Sequence, residues 1–213
     1  MMNKIYLSTD WHLVKYDKES GRSWIRPDLD LIKENLQVIK EGDTFIFLGD
    51  LQDSEISDIT VVKDVIKSIP KGTHKILIRG NNDIFGDLLY TKHFGFDEVL
   101  WGKFINIDDT KILLSHTSVD LIGLSDVYNI HGHIHRPGVN VMDIPYYHNP
   151  KGCYNLCNHE DNNAGVYDIE GIIPILKHTT NWGSRISGKI EKPGMSRLCQ
   201  NMAFDVLFEN ILI

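Results

Sequence analysis

Five short polar clusters punctuate this chain: Asp10-x-His12, Gly49-Asp50, Gly80-Asn81-x-Asp83, His116 and Gly132-His133-x-His135. Each falls where an apolar, strand-like run ends. Ile5-Tyr6-Leu7-Ser8 leads into the first, Thr44-Phe45-Ile46-Phe47-Leu48 into the second, and Lys75-Ile76-Leu77-Ile78 into the third. A sheet brings the ends of distant strands to one edge, so the fold must be one in which these clusters can meet. Between the first runs lie two helical patterns. Leu29, Ile32, Leu36 and Ile39 recur at helical spacing after Pro27-Asp28, with Gly42 as a stop. Ile59, Val62, Val65, Ile66 and Ile69 repeat the pattern, ended by Pro70 and Gly72. Strand, helix, strand, helix, strand predicts a parallel α/β sheet with functional groups at its carboxyl ends.

The second half predicts a different sheet. Residues 99–107 and 111–114 flank Asp108-Asp109 as a hairpin, and the second run delivers Ser115-His116. Val127-Tyr128-Asn129-Ile130 delivers His131-Gly132-His133. Residues 153–156 and 165–169 read as further strands, with 172–176 pairing beside the latter. Two sheets would thus meet at one edge, each supplying about half the clusters. A domain over residues 1–176 is expected, with 177–213 a C-terminal extension packed on it.

At 213 residues the chain can bury roughly 70% of its unfolded surface without a disulfide or structural metal. No apolar run reaches the ~18 residues of a membrane span, and Asp10 follows the N-terminus too closely for a signal peptide. A cytoplasmic location is expected. The net charge of −7 and the lack of a Lys/Arg run weigh against tight duplex nucleic-acid binding. Cys153, Cys157 and Cys199 read as reduced thiols. For Cys153 and Cys157 two readings stand: a zinc site with His148 and His159, or buried free thiols on one face of a half-buried strand.

Asp10, His12, Asp50, Asn81, His116, His133 and His135 offer carboxylates, imidazoles and one amide, a set suited to cations such as Mn, Fe, Ni or Zn. Seven ligands are too many for one ion with an open position and suit two ions sharing a carboxylate. Asp50 is the best candidate bridge, because Gly49 lets the backbone approach closely there. Asp10 and His12, like His133 and His135, are two apart and would share a face in a regular strand. Such a pair of cations activates water for phosphoryl transfer. Each cluster alone also has a plain structural reading, Gly-Asn-Asn-Asp as a turn or helix cap among them.

As an ordered set, Asp10-x-His12, Gly49-Asp50-x-x-Asp53, Gly80-Asn81-Asn82-Asp83, His116 and Gly132-His133-Ile134-His135 resembles the calcineurin-like metallophosphoesterases over roughly residues 1–157. The likeness is closer to the small bacterial and archaeal phosphodiesterases. The resemblance implies a four-layer α/β sandwich with two mixed β-sheets and a dinuclear site at their edge. It implies one metal held by Asp10, His12, Asp50 and His135, and another by Asp50, Asn81, His116 and His133, with manganese the leading candidate. A hydroxide bridging them would attack phosphorus in line. Many members carry a histidine where this chain has Asn82, which can donate a hydrogen bond but cannot act as a general acid near neutral pH. Beyond the ligands, the candidate catalytic residues are Asn82, Asp83 and Arg79; Arg79, Arg22 and Arg26 read either as phosphate contacts or as ordinary surface arginines. His131 reads as a supporting group or a packed strand end, and Trp11 as an anchor pointing away from the metals. The expected activity is a phosphodiesterase on a small or nucleotide-derived phosphate ester. The alternatives are a non-catalytic protein-binding scaffold, which the filled ligand set opposes, and a nuclease acting on short oligonucleotides.

Overall fold

The structure is a computed structural model that describes residues 3–13, 29–52, 59–119, 121, 124, 127–133, 152–158 and 165–179. His135, Asp53, Arg22, Arg26, His148, His159, Cys199, the loops at 14–26 and 139–150, and the extension beyond 179 lie outside the described residues. Strands β1 (Ile5–Ser8), β2 (Thr44–Phe47), β3 (His74–Ile78) and β4 (Glu98–Leu100) form a parallel array in the order β4-β3-β2-β1. A short strand β9 (Tyr167–Asp168) joins it antiparallel beside β1, making a mixed five-stranded sheet. The second sheet has four strands: β5 (Gly102–Ile107), β6 (Thr110–Ser115), β7 (Val127–His131) and β8 (Cys153–Asn155). The expected hairpin is its β5–β6 pair, closed at Ile107 opposite Thr110, while β6, β7 and β8 run parallel.

Side-chain alternation on the strands places two cores. Tyr6, Phe45, Phe47 and Leu77 face one way, against Ile32 and Leu36 of the first helical segment and Val62, Val65 and Ile66 of helix α2 (Ile59–Lys67). The first segment is helix α1 (Leu29–Asn35) tightening into a 3-10 turn at Leu36–Val38. Leu7, Ile46, Leu48, Ile76 and Ile78 face the other way and meet Ile112, Leu114 and Ile130 of the second sheet. The result is the expected α/β sandwich of two mixed sheets with flanking helices.

Two expectations need correction. The apolar run over 99–107 is not one strand: Glu98–Leu100 pairs with β3, and after Trp101 the chain enters the other sheet as β5. The run over 172–176 is not a strand either. It belongs to helix α3 (Ile169–Thr179), which tolerates Pro174 inside it. Ile169, Ile172 and Leu176 recur at helical spacing and all enter the core between the sheets. No helix among the described residues is long and apolar enough to cross a membrane.

Candidate metal centre

The β1–β2 pairing continues past the strand ends, and this continuation builds one half of the site. The amides of Asp10, His12 and Leu13 donate to the carbonyls of Gly49, Asp50 and Leu51 at 2.9, 3.0 and 3.0 Å. Asp10 and His12 therefore do not share the face of a regular strand, as their spacing predicted. They lie beyond β1 with φ of 57° and 45°. Asp50 (55°) and His133 (71°) have the same left-handed backbone. Such a conformation costs about 1–2 kcal/mol for a residue with a β-carbon. Four strained positions among the candidate ligands show that the surrounding fold, rather than local preference, sets their direction.

Their side chains converge in two groups that share Asp50. Asp10, His12 and Asp50 form one; Asp50, His116 and His133 form the other; in each, the potential ligand atoms lie within 4.8 Å of one another. His12 Nε2 stands 3.7 Å from both Asp10 Oδ1 and Asp50 Oδ2. His116 Nε2 is 3.4 Å from Asp50 Oδ2, 3.1 Å from His133 Nδ1 and 3.2 Å from Asn81 Oδ1. Asn81 thus joins the second group. The structure brings together every predicted ligand within the described residues.

Supporting contacts aim these groups. His116 Nδ1 lies 2.8 Å from the Leu48 carbonyl, which fixes a proton on that nitrogen and turns Nε2 toward Asp50. Asn82 donates to both oxygens of Asp50, from its backbone N–H and its side-chain Nδ2, each at 2.8 Å. Its amide therefore holds the shared carboxylate. Glycine is required where the loops press closest. A β-carbon on Gly49 would lie 2.6 Å from both Gly80 N and His116 Nδ1, and one on Gly132 would lie 2.2 Å from Asp10 Oδ2.

Asp83 and Arg79 prove to be braces. Asp83 is buried and accepts the backbone N–H groups of Asp50 (2.8 Å), Leu51 (3.0 Å) and Gly80 (2.8 Å), tying two ligand-bearing loops together. Burial pushes its carboxyl up to about 6 against the pull of these amides. Arg79 is neither a surface arginine nor aimed at the ligands. Its guanidinium is buried and donates to the carbonyls of Asp83 (2.6 Å) and Phe85 (2.7 Å), pairs with Asp87, and lies over the rings of Tyr90 and Trp101. Trp11 does point away, into the aromatic cluster with Phe45 and Phe47. His131 is buried with Nδ1 at 2.8 Å from the Gly132 carbonyl.

The two cysteines go to different places. Cys153 Sγ lies beside Val119 O and Asn129 Oδ1, whereas Cys157 Sγ lies 3.2 Å from Asp10 Oδ2. Cys157 is not on a strand but in a 3-10 turn, Leu156–Asn158, after β8. Sequence reasoning missed this residue, because the alternation from Gly152 onward gave it the same strand face as Cys153. Burial, and then the nearby Asp10 carboxylate, push its thiol well above the ordinary range.

The electrostatics call for positive charge. Asp10 and Asp50 are both buried, and buried carboxylates side by side are costly without compensation. Burial alone would lower the affinity of His116 for a proton, but Asp50, Asp10 and the Leu48 carbonyl outweigh it and push its pKa up to about 9. Burial would raise Asp50, but His116 and the Asn82 amide hold it below the usual carboxylate range. Divalent cations would supply that charge more fully than a protonated histidine. Oxygen and imidazole ligands in two groups with one shared carboxylate fit them.

An α/β sandwich with this ligand-lined edge defines a protein of the metallophosphoesterase type. A family model, the calcineurin-like phosphoesterase superfamily domain, matches residues 4–171, and the chain belongs to that superfamily. Its members typically bind divalent metals. Among solved structures, the chain is similar to the protein of unknown function AQ665 from Aquifex aeolicus, at 25% identity and a TM-score of 0.57, covering 82% of this chain and 100% of that one. No curated protein matches the chain.

Proposed function

We propose that this protein is a metal-dependent phosphodiesterase acting on a small or nucleotide-derived ester at a two-cation site, with manganese as its cation and the cytoplasm as its location. The observation that carries this reading is the sharing of Asp50 between two ligand groups. Asp10, His12 and Asp50 would hold one cation; Asp50, Asn81, His116 and His133 the other; and His135 falls to the first by family likeness. Bound cations supply Lewis acidity toward a phosphoryl oxygen and lower the pKa of water. The chain's own residues fix the geometry for this. Asn82 clamps the shared carboxylate, the Leu48 carbonyl sets the His116 tautomer, and Asp83 keeps the two loops in register. By family likeness Asn82 takes the position where many members carry a histidine that helps the leaving group depart, and an amide cannot donate a proton near neutral pH. Turnover should therefore depend steeply on leaving-group acidity.

The test is hydrolysis of a phosphodiester and a phosphomonoester with the same activated leaving group. Stripped protein would be reloaded with Mn, Fe, Ni, Zn or Mg, with Asp50→Asn and His133→Ala as controls. Diester turnover that needs the cation, exceeds monoester turnover and is lost in both variants supports the proposal. Faster monoester turnover overturns the diester assignment, and inertness at every loading with two cations bound overturns the enzymatic one.

A further inference from the structure

The two oxygens of Asp10 face different surroundings. Oδ1 is turned to the His12 imidazole. Oδ2 is gripped from three directions: the hydroxyl of Thr9, the backbone N–H of His133 at 3.0 Å, and the thiol of Cys157 at 3.2 Å. These groups follow the ends of β1, β7 and β8, strands drawn from both sheets. Gly132 leaves the room for this convergence, since a β-carbon there would lie 2.1 Å from Thr9 Oγ1.

The thiol is carried to this point by a built turn. Leu156 is buried in the core between the sheets, and the Asn155 side chain, itself buried, accepts the Cys157 N–H at 3.0 Å. The turn thus has an apolar anchor and a polar cap, and it directs Sγ toward the carboxylate. A sulfur at that distance from a carboxylate oxygen is placed as an S–H donor. A ligand carboxylate whose one oxygen is held by donors presents the other to the cation in a fixed direction.

We propose that Cys157 is a positioning residue of the metal centre, its thiol donating to Asp10 Oδ2 so that Oδ1 is presented to the cation shared with His12. This rests on the metal-centre reading above, but not on phosphoester turnover. Its role is orientation rather than ligation. Metal ligands hydrogen-bonded in this way typically lose about 10–100-fold in cation affinity when the outer partner is removed.

The experiment has two readouts. In the metal-free full-length chain, the infrared S–H stretch lost in Cys157→Ala should sit at the lowered frequency of a carboxylate-bound thiol. It should move toward the free-thiol position in Asp10→Asn. In calorimetric titrations with Mn or Zn, Cys157→Ala should weaken one of two binding events by about 10–100-fold, and Cys157→Ser, which keeps a donor, should recover most of the loss. Circular dichroism checks that each variant is folded. A free-thiol S–H band in the wild-type chain overturns the proposal. So does wild-type cation affinity in Cys157→Ala, or Cys157→Ser binding no better than Cys157→Ala while folded. Two cations bound without any ester hydrolysis would sink the enzymatic reading and leave this one standing.

Discussion

Asp83 shows how much of this site is made by buried side chains that hold its backbone. Its carboxylate receives three backbone N–H groups from the loops carrying Asp50 and Asn81. In Asp83→Asn, one acceptor oxygen becomes a donor facing those amides, and a buried unsatisfied group costs about 1–3 kcal/mol. Denaturant melts should show that loss, and calorimetry should show weaker cation binding because the loops carrying Asp50 and Asn81 lose their shared anchor. Unchanged melts and unchanged binding would mean the loops hold themselves. The convergence of the ligands was legible in the sequence because each cluster ends a strand, and strand ends of one sheet edge are neighbours by construction. The left-handed backbone at Asp10, His12, Asp50 and His133 was not legible. At Asp10, His12 and Asp50 it accompanies the β1–β2 ladder continuing beyond the strands, a tertiary effect that overrides the local preference of residues with side chains. Cys157 was hidden for a similar reason, since its direction depends on a single turn after β8.

At the scale of elements, two joints decide how the sheets sit. One is the β3–β4–β5 corner, where Glu98 meets His74 Nε2 at 2.7 Å and Lys103 Nζ at 2.8 Å. Burial tends to raise the Glu98 carboxyl, but the hydrogen bonds from Lys103 and His74 outweigh it and hold the group below its usual range. A depressed folded-state value means that the stabilisation is present above the unfolded value and is lost as pH falls through the folded one. Urea midpoints measured from neutral pH into the acid range should therefore fall less steeply in Glu98→Gln than in wild type. Parallel slopes would show that the cluster contributes nothing. The other joint is α3, whose Leu176 is fully buried between the sheets. Leu176→Ala should cost about 2–5 kcal/mol, whereas a side chain on a solvated tail would shift the melt by no more than about 0.5 kcal/mol. The helix escaped the sequence reading because Gly171 and Pro174 argue against one and the apolar run mimics a buried strand. The spacing of Ile169, Ile172 and Leu176 was the signal available. The first three strands of the first sheet and its two helical segments were legible because their apolar runs are regular and their ends are marked by Gly or Pro.

For the whole molecule, cations and fold should be linked. Binding to the folded chain alone stabilises it by about 2.7 kcal/mol at a hundredfold excess over the dissociation constant. Thermal melts should thus rise with added Mn and fall with a chelator, and the Asp50→Asn variant should lose most of that response. An equal response in Asp50→Asn would place the binding elsewhere. The pairing of β1 with β9 joins Leu7 to Tyr167 and Tyr6 to Asp168. Contacts that span so much of the chain are slow to form. They also set an order for the nascent polypeptide emerging from a ribosome. Strand β1 stays open along one edge until nearly all of the described fold has been synthesised. Cys157 reaches Asp10 only shortly before that edge closes. Chains stalled short of Tyr167 should be cut readily by protease, whereas released chains should resist. Until Tyr167 and Asp168 are made, that edge of β1 remains a template open to pairing with another chain.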